Sequence, residues 1–119
     1  MGNAEILEHK SKKVVLVNLA GCGPQTTFSV LDDAAGVISS FPPKSALILT
    51  DSTDATYNAE VSAAMKAFTA KHSPYVKGSA VVGADGMRRV LVSAIRVATK
   101  RDIRTFDTRD EALDWLVSL

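Results

Sequence analysis

Runs of residues typical of buried strands alternate with residues typical of amphipathic helices along this chain, and no other feature constrains its fold as strongly. Residues 13–19 are a nearly continuous run of β-branched and aliphatic side chains, and residues 46–50 repeat the pattern. Shorter runs of the same kind occupy residues 80–82 and 103–106. Such runs suit strands that are buried on both faces, as parallel strands are. The sequence therefore predicts four strands in one mainly parallel sheet.

A helix is predicted after each of these strands, because apolar residues recur there at helical spacing. The four apolar faces consist of Phe28, Leu31, Ala35 and Ile38 in the first helix, Tyr57, Val61, Met65 and Phe68 in the second, Met87, Val90, Leu91, Ala94 and Ala98 in the third, and Ala112, Leu113, Trp115, Leu116 and Leu119 in the fourth. Thr108 and Glu111 have the spacing of a capping box at the start of the fourth helix. Thr53 or Asp54 is the expected cap of the second. Crossover connections between parallel strands then predict helices on both faces of the sheet.

The length of 119 residues is close to the usual size of one domain. Residues 13–119 are therefore predicted to form a single α/β domain, preceded by a loose N-terminal arm over residues 1–12. For four such units we expect the strand order 2-1-3-4, in which the sheet reverses its direction of growth between the first and third strands. Ligands of such sheets bind beyond the carboxyl ends of the strands at the reversal. The expected site therefore comprises the loops at residues 20–24, 51–54 and 83–86.

Composition and charge exclude several classes of function. The formal net charge is +1, which provides no strong overall attraction to nucleic acid. One cysteine cannot form an internal disulfide, and no apolar run approaches the roughly 20 residues of a membrane span. No complete metal or cofactor motif is present in the sequence. We therefore expect a cytoplasmic protein that requires no cofactor and binds neither nucleic acid nor membrane.

The three loops contain the candidate ligand-binding residues, which are Gly21, Cys22, Gly23, Asp51, Ser52, Thr53, Gly83, Asp85 and Gly86. The first loop opens a helix, where unpaired backbone amides attract a phosphate or a carboxylate. A tight turn that needs glycine explains the same residues without a ligand. A cysteine at the start of a helix can be reactive, whereas a buried one behaves as a small apolar residue. Both interpretations of Cys22 stay open.

Positive charge is concentrated in the third helix and the segment that follows it. Residues 86–104 carry six basic residues and one acidic residue. Arg89, Arg96 and Lys100 fall on one face of the predicted helix, which makes them the candidate residues for binding a protein partner or an anionic ligand. A solvated helix face is the alternative.

Three segments of the sequence are similar to one known family. They are residues 46–51, residues 75–83, and the closing string of Phe106-Asp107-Thr108, Glu111-Ala112 and Trp115-Leu116. Together they resemble the SpoIIAA-like group of STAS-type proteins, sometimes called STAS/SEC14 domains, over nearly the whole chain. The resemblance implies a layered α/β domain that has no settled enzymatic activity.

The same resemblance implies a regulatory function for the second loop. STAS proteins of the anti-sigma-factor-antagonist type bind a partner kinase and are switched by phosphorylation in an Asp-Ser-Ser-Gly loop. Asp51, Ser52 and Thr53 resemble the first three positions of that loop, and Asp54 replaces the glycine. Ser52 and Thr53 are therefore candidate phosphorylation sites, although the charge of Asp54 disfavours a neighbouring phosphate.

These observations favour a small regulatory or binding module of STAS type, which binds an anionic ligand or a protein partner without turnover. A monothiol enzyme that uses Cys22 is one alternative, and a purely structural self-associating domain is another. The sequence leaves the oligomeric state open, with a homodimer among the possibilities.

Overall fold

The fold was obtained as a computed structural model, which describes residues 2–119 with the exception of the Met87 side chain. Within that range, one mixed sheet contains the five strands β1 (Asn3–His9), β2 (Lys12–Asn18), β3 (Ala46–Asp51), β4 (Val76–Val82) and β5 (Ile103–Phe106). The helices are α1 (Pro24–Ile38), α2 (Ala59–His72), α3 (Met87–Thr99) and α4 (Arg109–Val117), with a short 3₁₀ turn at Ser73–Tyr75. Two parts of the predictions lie outside the described residues, namely Met1 of the arm and the Met87 side chain of the third apolar face.

The four strands predicted from the sequence are β2 to β5, and they are parallel to one another. Their order in the sheet follows the order of the chain, so the predicted order 2-1-3-4 is wrong. The reason is that β1 pairs with the edge of β2 that the predicted order assigns to another strand. Every crossover therefore moves the chain in the same direction, and the sheet has no reversal at which a ligand would bind.

The predicted N-terminal arm differs from the structure, in which most of it forms a strand. β1 pairs antiparallel with β2 along its whole length, from Asn3 opposite Asn18 to His9 opposite Lys12. Lys10 and Ser11 connect the two strands with φ of 50° and 67°, as the tight turns of hairpins require. The sheet is consequently mixed and five-stranded instead of four-stranded.

The helices cover both faces of the sheet, as predicted, but unequally. On one face, α1 contributes Val30 and Ile38 to a cluster with Val15 and Ile48 of the sheet. α2 and α3 cover the rest of that face. On the other face, α4 alone packs Leu116 and its neighbours against β2, β3 and β4. No helix within residues 2–119 is both long enough and apolar enough to span a membrane.

The boundaries of two helices differ from the predictions. The side chain of Asn58 caps α2 by accepting a hydrogen bond from the amide of Val61, so a cap at Thr53 or Asp54 is wrong. In α3 the buried residues are Leu91 and Ile95, whereas Val90 is 60% exposed. The buried face of α3 is therefore rotated about the helix axis relative to the predicted apolar face.

One half of the predicted capping box of α4 is present, in which Thr108 accepts from the Glu111 amide; the Glu111 carboxylate accepts from the Thr108 hydroxyl instead of from the Thr108 amide. The hydroxyl of Thr108 accepts a hydrogen bond from the amide of Glu111 at 3.2 Å and lies 3.1 Å from the Glu111 carboxylate.

Candidate functional site

The structure brings the three predicted loops together at the carboxyl end of the parallel strands, where they bind one another. The amide of Gly21 donates to the carbonyl of Thr53 at 2.8 Å, and the amide of Ser52 donates to the carbonyl of Val82 at 2.9 Å. The first loop also accepts a hydrogen bond at the Cys22 carbonyl, from the amide of Thr56 at 2.9 Å. These backbone groups are therefore already paired within the protein and are not free to bind a ligand.

Three of the candidate side chains in these loops are buried. Cys22 and Ser52 are each only 2% exposed, and Asp51 is 6% exposed. The thiol of Cys22 faces the carbonyl of Ala20 at 3.8 Å, and the hydroxyl of Ser52 donates to Val82 at 3.4 Å. A nucleophilic thiol needs access to its substrate, so this burial counts against the monothiol alternative.

The remaining loop candidates are more accessible. Thr53 is exposed, so it is the more accessible of the two residues for which phosphorylation stays a prediction. Gly21, Asp85 and Gly86 are exposed, and Gly23 and Gly83 are half-buried.

Asp51 is a buried carboxylate with three donors. Its Oδ1 atom accepts hydrogen bonds from the amide and the hydroxyl of Thr53, at 3.0 and 2.7 Å. Its Oδ2 atom accepts from Nε of Arg109, the first residue of α4, at 2.8 Å. Burial alone would raise the pKa of Asp51, but the Thr53 hydrogen bonds and the Arg109 charge together hold it below its usual 3.8. Asp51 thereby joins the end of β3 to α4.

We expect the substitution Asp51→Asn to lower the free energy of unfolding by about 2 kcal/mol at pH 7, because it removes the charge of a buried acceptor that binds three donors. Since the pKa of Asp51 is lowered by folding, the stability that its carboxylate contributes is complete above pH 3.8 and is lost as the pH falls through its lower value in the folded state. Urea denaturation of both proteins between pH 3 and pH 7 measures the difference. The exposed Asp54→Asn is the control, and equal losses in both variants would contradict the role of Asp51.

The candidate partner-binding residues of α3 differ in their availability. Nε of Arg89 donates to the carbonyl of Ala84 at 3.1 Å, and Nε of Arg96 donates to the carbonyl of Ile103 at 2.9 Å. Lys100 is exposed and ends the helix in the left-handed conformation, with φ of 56°. Both arginines are thus engaged within the chain, although they remain exposed, and binding of a partner to this face stays a prediction.

A cavity of about 70 Å³ lies between the sheet and the three helices α1 to α3. Its central part is apolar, with Ile48 and Val81 from the sheet, Met65 from α2, and Leu91 and Ile95 from α3. A single water needs roughly 10–15 Å³ of such volume, so the cavity has room for about five waters or a small organic molecule. No pattern in the sequence indicates this cavity.

Arg101 lies at one end of the cavity, just beyond the C-terminus of α3. Its guanidinium donates to the carbonyl of Thr69 at 3.1 Å and to the hydroxyl of Ser79. Burial lowers the pKa of Arg101. No carboxylate of residues 2–119 lies within ion-pair distance of it. The cavity therefore contains a positive charge that the described part of the chain does not neutralise.

Tyr57 and Arg88 lie at the opposite end of the cavity, close to the three loops. The hydroxyl of Tyr57 is buried and has no hydrogen-bond partner among the described residues. Burial raises the pKa of Tyr57 above its usual 10.0, and the neighbouring Ser52 hydroxyl and Arg88 charge offset only part of that rise, so the hydroxyl keeps its proton at neutral pH. Nε and Nη1 of Arg88 donate to the carbonyls of Gly83 and Ala55, at 2.9 and 3.0 Å. Ser52 lines this end as well, which makes it the one predicted loop residue that faces the cavity.

Sequence reasoning missed the polar groups of the cavity. Arg101 was counted among the basic residues that follow α3, with no indication that its side chain turns inward. Tyr57 was placed on the apolar face of a helix, whereas it lies before α2. Its position one residue before the capping Asn58 was a usable signal, since a residue there often packs back onto the core.

Similarity to known proteins agrees with this architecture. The SpoIIAA-like family model matches residues 25–117, which confirms the resemblance found in the sequence. The chain is also similar to the crystal structure of an uncharacterized protein of the DUF3478 family, with a SpoIIAA-like fold, from Shewanella loihica PV-4. The TM-score is 0.72 and the sequence identity 14%, over 98% of this chain and 95% of that chain, so the two share a fold. No curated protein matches the chain in sequence. The chain belongs to the SpoIIAA-like family.

Proposed function

We propose that this protein is a binding module of STAS type that holds a small anionic ligand in its central cavity, without turnover. The observation that carries the proposal is Arg101, whose guanidinium lies at the cavity with no carboxylate of residues 2–119 within ion-pair distance. Isolated charges in a protein interior are costly, and a counter-anion removes most of that cost. A ligand with an anionic group would therefore stabilise the folded state by pairing with Arg101.

The shape and lining of the cavity define the rest of the ligand. The guanidinium is planar and pairs best with a carboxylate or a phosphate, to which it donates two hydrogen bonds. The walls next to it are apolar, with Met65, Phe68 and Ile95 among the lining residues. A ligand of matching chemistry has a short hydrocarbon body and an anionic head, and a short-chain carboxylate is the simplest example.

Titration calorimetry with butanoate, which is of the size that the cavity admits, tests this proposal. We expect butanoate to bind the wild-type protein, and Arg101→Gln to weaken binding by about 10-fold to 100-fold, since a charged hydrogen-bonded pair is lost. Arg104→Gln is the matched control, because Arg104 lies above the ring of Trp115, 5.0 Å from its centroid, away from the cavity lining. Inorganic phosphate, titrated separately, shows whether an anion alone is sufficient.

Two results would contradict the proposal. One is the absence of binding by propanoate, butanoate and pentanoate alike. The other is equal affinity in the wild type and the Arg101→Gln variant, provided that both proteins unfold cooperatively. Arg101→Lys separates charge from geometry, because it keeps the positive charge but loses the planar guanidinium. We expect the affinity of this variant for the carboxylate to lie between those of the wild type and Arg101→Gln.

A further inference from the structure

We infer that the ligand is a small hydroxy acid, whose carboxylate binds Arg101 and whose hydroxyl donates a hydrogen bond to Nε2 of His72. This inference rests on the proposed function, because it assumes that the cavity holds an anion at Arg101. It adds the second polar group of the ligand, which the charge of Arg101 does not specify.

His72, the last residue of α2, lies at the same end of the cavity as Arg101. It is only 4% exposed and is among the residues that line the cavity. His72 follows Thr69 by three residues, and residues at that spacing are neighbours on one side of a helix. Since Arg101 donates to the carbonyl of Thr69, the imidazole lies within one turn of α2 from the bound guanidinium. One small molecule can therefore contact both groups.

The surroundings of His72 determine which of its ring nitrogens accepts a hydrogen bond. Its Nδ1 atom lies 2.8 Å from the carbonyl of Phe68, and because a carbonyl only accepts, Nδ1 carries the hydrogen. In the neutral ring Nε2 is therefore an acceptor. The rings of Phe68 and Tyr75 pack beside the imidazole, with 4.4 and 6.4 Å between the centroids. The acceptor is thus held in a fixed orientation.

Nε2 of His72 is available to a ligand. It has no donor among residues 2–119, since the hydrogen bond of the ring in that range is the one from Nδ1. Nε2 is also not among the fully enclosed, unpaired side-chain atoms of the same range, so it borders open space. The neighbouring hydroxyl of Thr69 is already used, because it donates to the carbonyl of Met65 at 2.8 Å. A ligand that donates a hydrogen bond here therefore gains a partner that the chain leaves free.

The chemistry of the two groups limits the ligand to one class. A guanidinium pairs with a carboxylate, and a neutral imidazole nitrogen accepts from an O–H or an N–H group. An ammonium group is disfavoured because Arg101 repels a second positive charge, whereas a hydroxyl is uncharged. The cavity of about 70 Å³ admits only a few non-hydrogen atoms. A hydroxy acid of three or so carbons has both groups within that size.

Titration calorimetry at pH 8, where histidine side chains are ordinarily neutral, tests the inference with two matched pairs of acids. In each pair a hydroxyl replaces a methyl group, so all four acids have the same number of non-hydrogen atoms. The pairs are 3-hydroxypropanoate with butanoate, and 2-hydroxypropanoate with 2-methylpropanoate. We expect one hydroxy acid to bind at least about threefold more tightly than its methyl counterpart, because a methyl group leaves Nε2 without a donor.

His72→Phe removes the acceptor and keeps an aromatic ring of similar shape. We expect the preference to reverse in this variant, with the methyl acid binding at least about fivefold more tightly, because a hydroxyl buried without a partner is unfavourable. His9→Phe is the matched control. His9 is the other histidine of the chain, and its Nε2 atom lies 2.8 Å from the Asp114 carboxylate, away from the cavity lining. We expect this variant to keep the preference of the wild type.

Nitrogen NMR of the imidazole rings tests the same contact without a substitution. We expect the resonance of His72 Nε2 to shift when the preferred hydroxy acid binds and to shift less when its methyl counterpart binds, since only the hydroxyl donates to it. The resonances of His9 should stay unchanged in both titrations.

Three results would overturn the inference. They are a hydroxy acid that binds no more tightly than its methyl counterpart in both pairs, a preference that survives His72→Phe in a cooperatively folded protein, and an equal response of His72 Nε2 to both acids. In each case the proposed function stands if butanoate still requires Arg101. If none of the four acids binds, and propanoate and pentanoate do not bind either, both proposals are wrong.

Discussion

Replacing Gly83 with alanine is expected to lower the free energy of unfolding by about 3 kcal/mol, as measured by urea denaturation. Gly83 has φ of +77°, a conformation that costs other residues about 1–2 kcal/mol. A Cβ atom at this position would also lie 2.6 Å from both the nitrogen and the Cα atom of Thr53, which belong to the backbone and cannot rotate away. Forcing the two loops apart adds about 1–3 kcal/mol of overpacking.

Gly21→Ala separates the two contributions. Gly21 also has a positive φ, of +68°, but no atom of the described residues lies within 4 Å of a Cβ built there. We therefore expect the strain alone, about 1 kcal/mol. Similar losses in the two variants would show that the contact between the loops at Thr53 and Gly83 does not stabilise the fold. The contact also bears on the cavity, because Ser52, adjacent to Thr53, lines its polar end.

The strands and helices of the parallel part of the fold could be predicted from the sequence because their signals are local. Residues 14–17 and 46–49 are apolar without interruption, and both lie in strands with both faces covered. β1 lacks that signal, because Asn3–His9 carries several polar residues and is largely exposed along an edge of the sheet. The strand order depended on β1. Because β1 occupies one edge of β2, β3 pairs with the other edge, and β4 and β5 follow in chain order.

The candidate site could be predicted only in part, because its residues come together through tertiary structure. Turn chemistry located the loops at the carboxyl end of the strands, and the structure does bring them together. The cavity depends instead on the inward orientation of Arg101 and Tyr57, two residues on different segments with no shared sequence pattern. The charge pattern identified α3 as basic, but it could not show that Arg96 and Arg101 donate to groups of their own chain.

Truncating Leu116 to alanine is expected to lower the free energy of unfolding by about 3 kcal/mol. Leu116 is fully buried and lies in the cluster that α4 forms with Val14, Leu49 and Val82 on its face of the sheet. Leucine-to-alanine substitutions at such positions cost roughly 2–5 kcal/mol, the sum of lost apolar burial and the cavity that remains. Trp115, the one tryptophan of the chain, immediately precedes Leu116. Its ring packs beside that of Phe106, with 5.7 Å between the ring centroids. Its fluorescence therefore reports on α4 during urea denaturation.

Leu119→Ala supplies the control, because it is the same substitution in the same terminal segment at a residue that is 37% exposed. We expect it to cost about 1 kcal/mol or less. Circular dichroism measured beside fluorescence gives a second criterion. α4 is the sole described helix on its face, and it is joined to β3 through the Asp51–Arg109 ion pair and to the β1–β2 hairpin through the Lys12 bond to the Val117 carbonyl. The two probes should therefore report one transition. A tryptophan transition that precedes the loss of helical signal would show instead that α4 detaches while the sheet and its other helices stay folded.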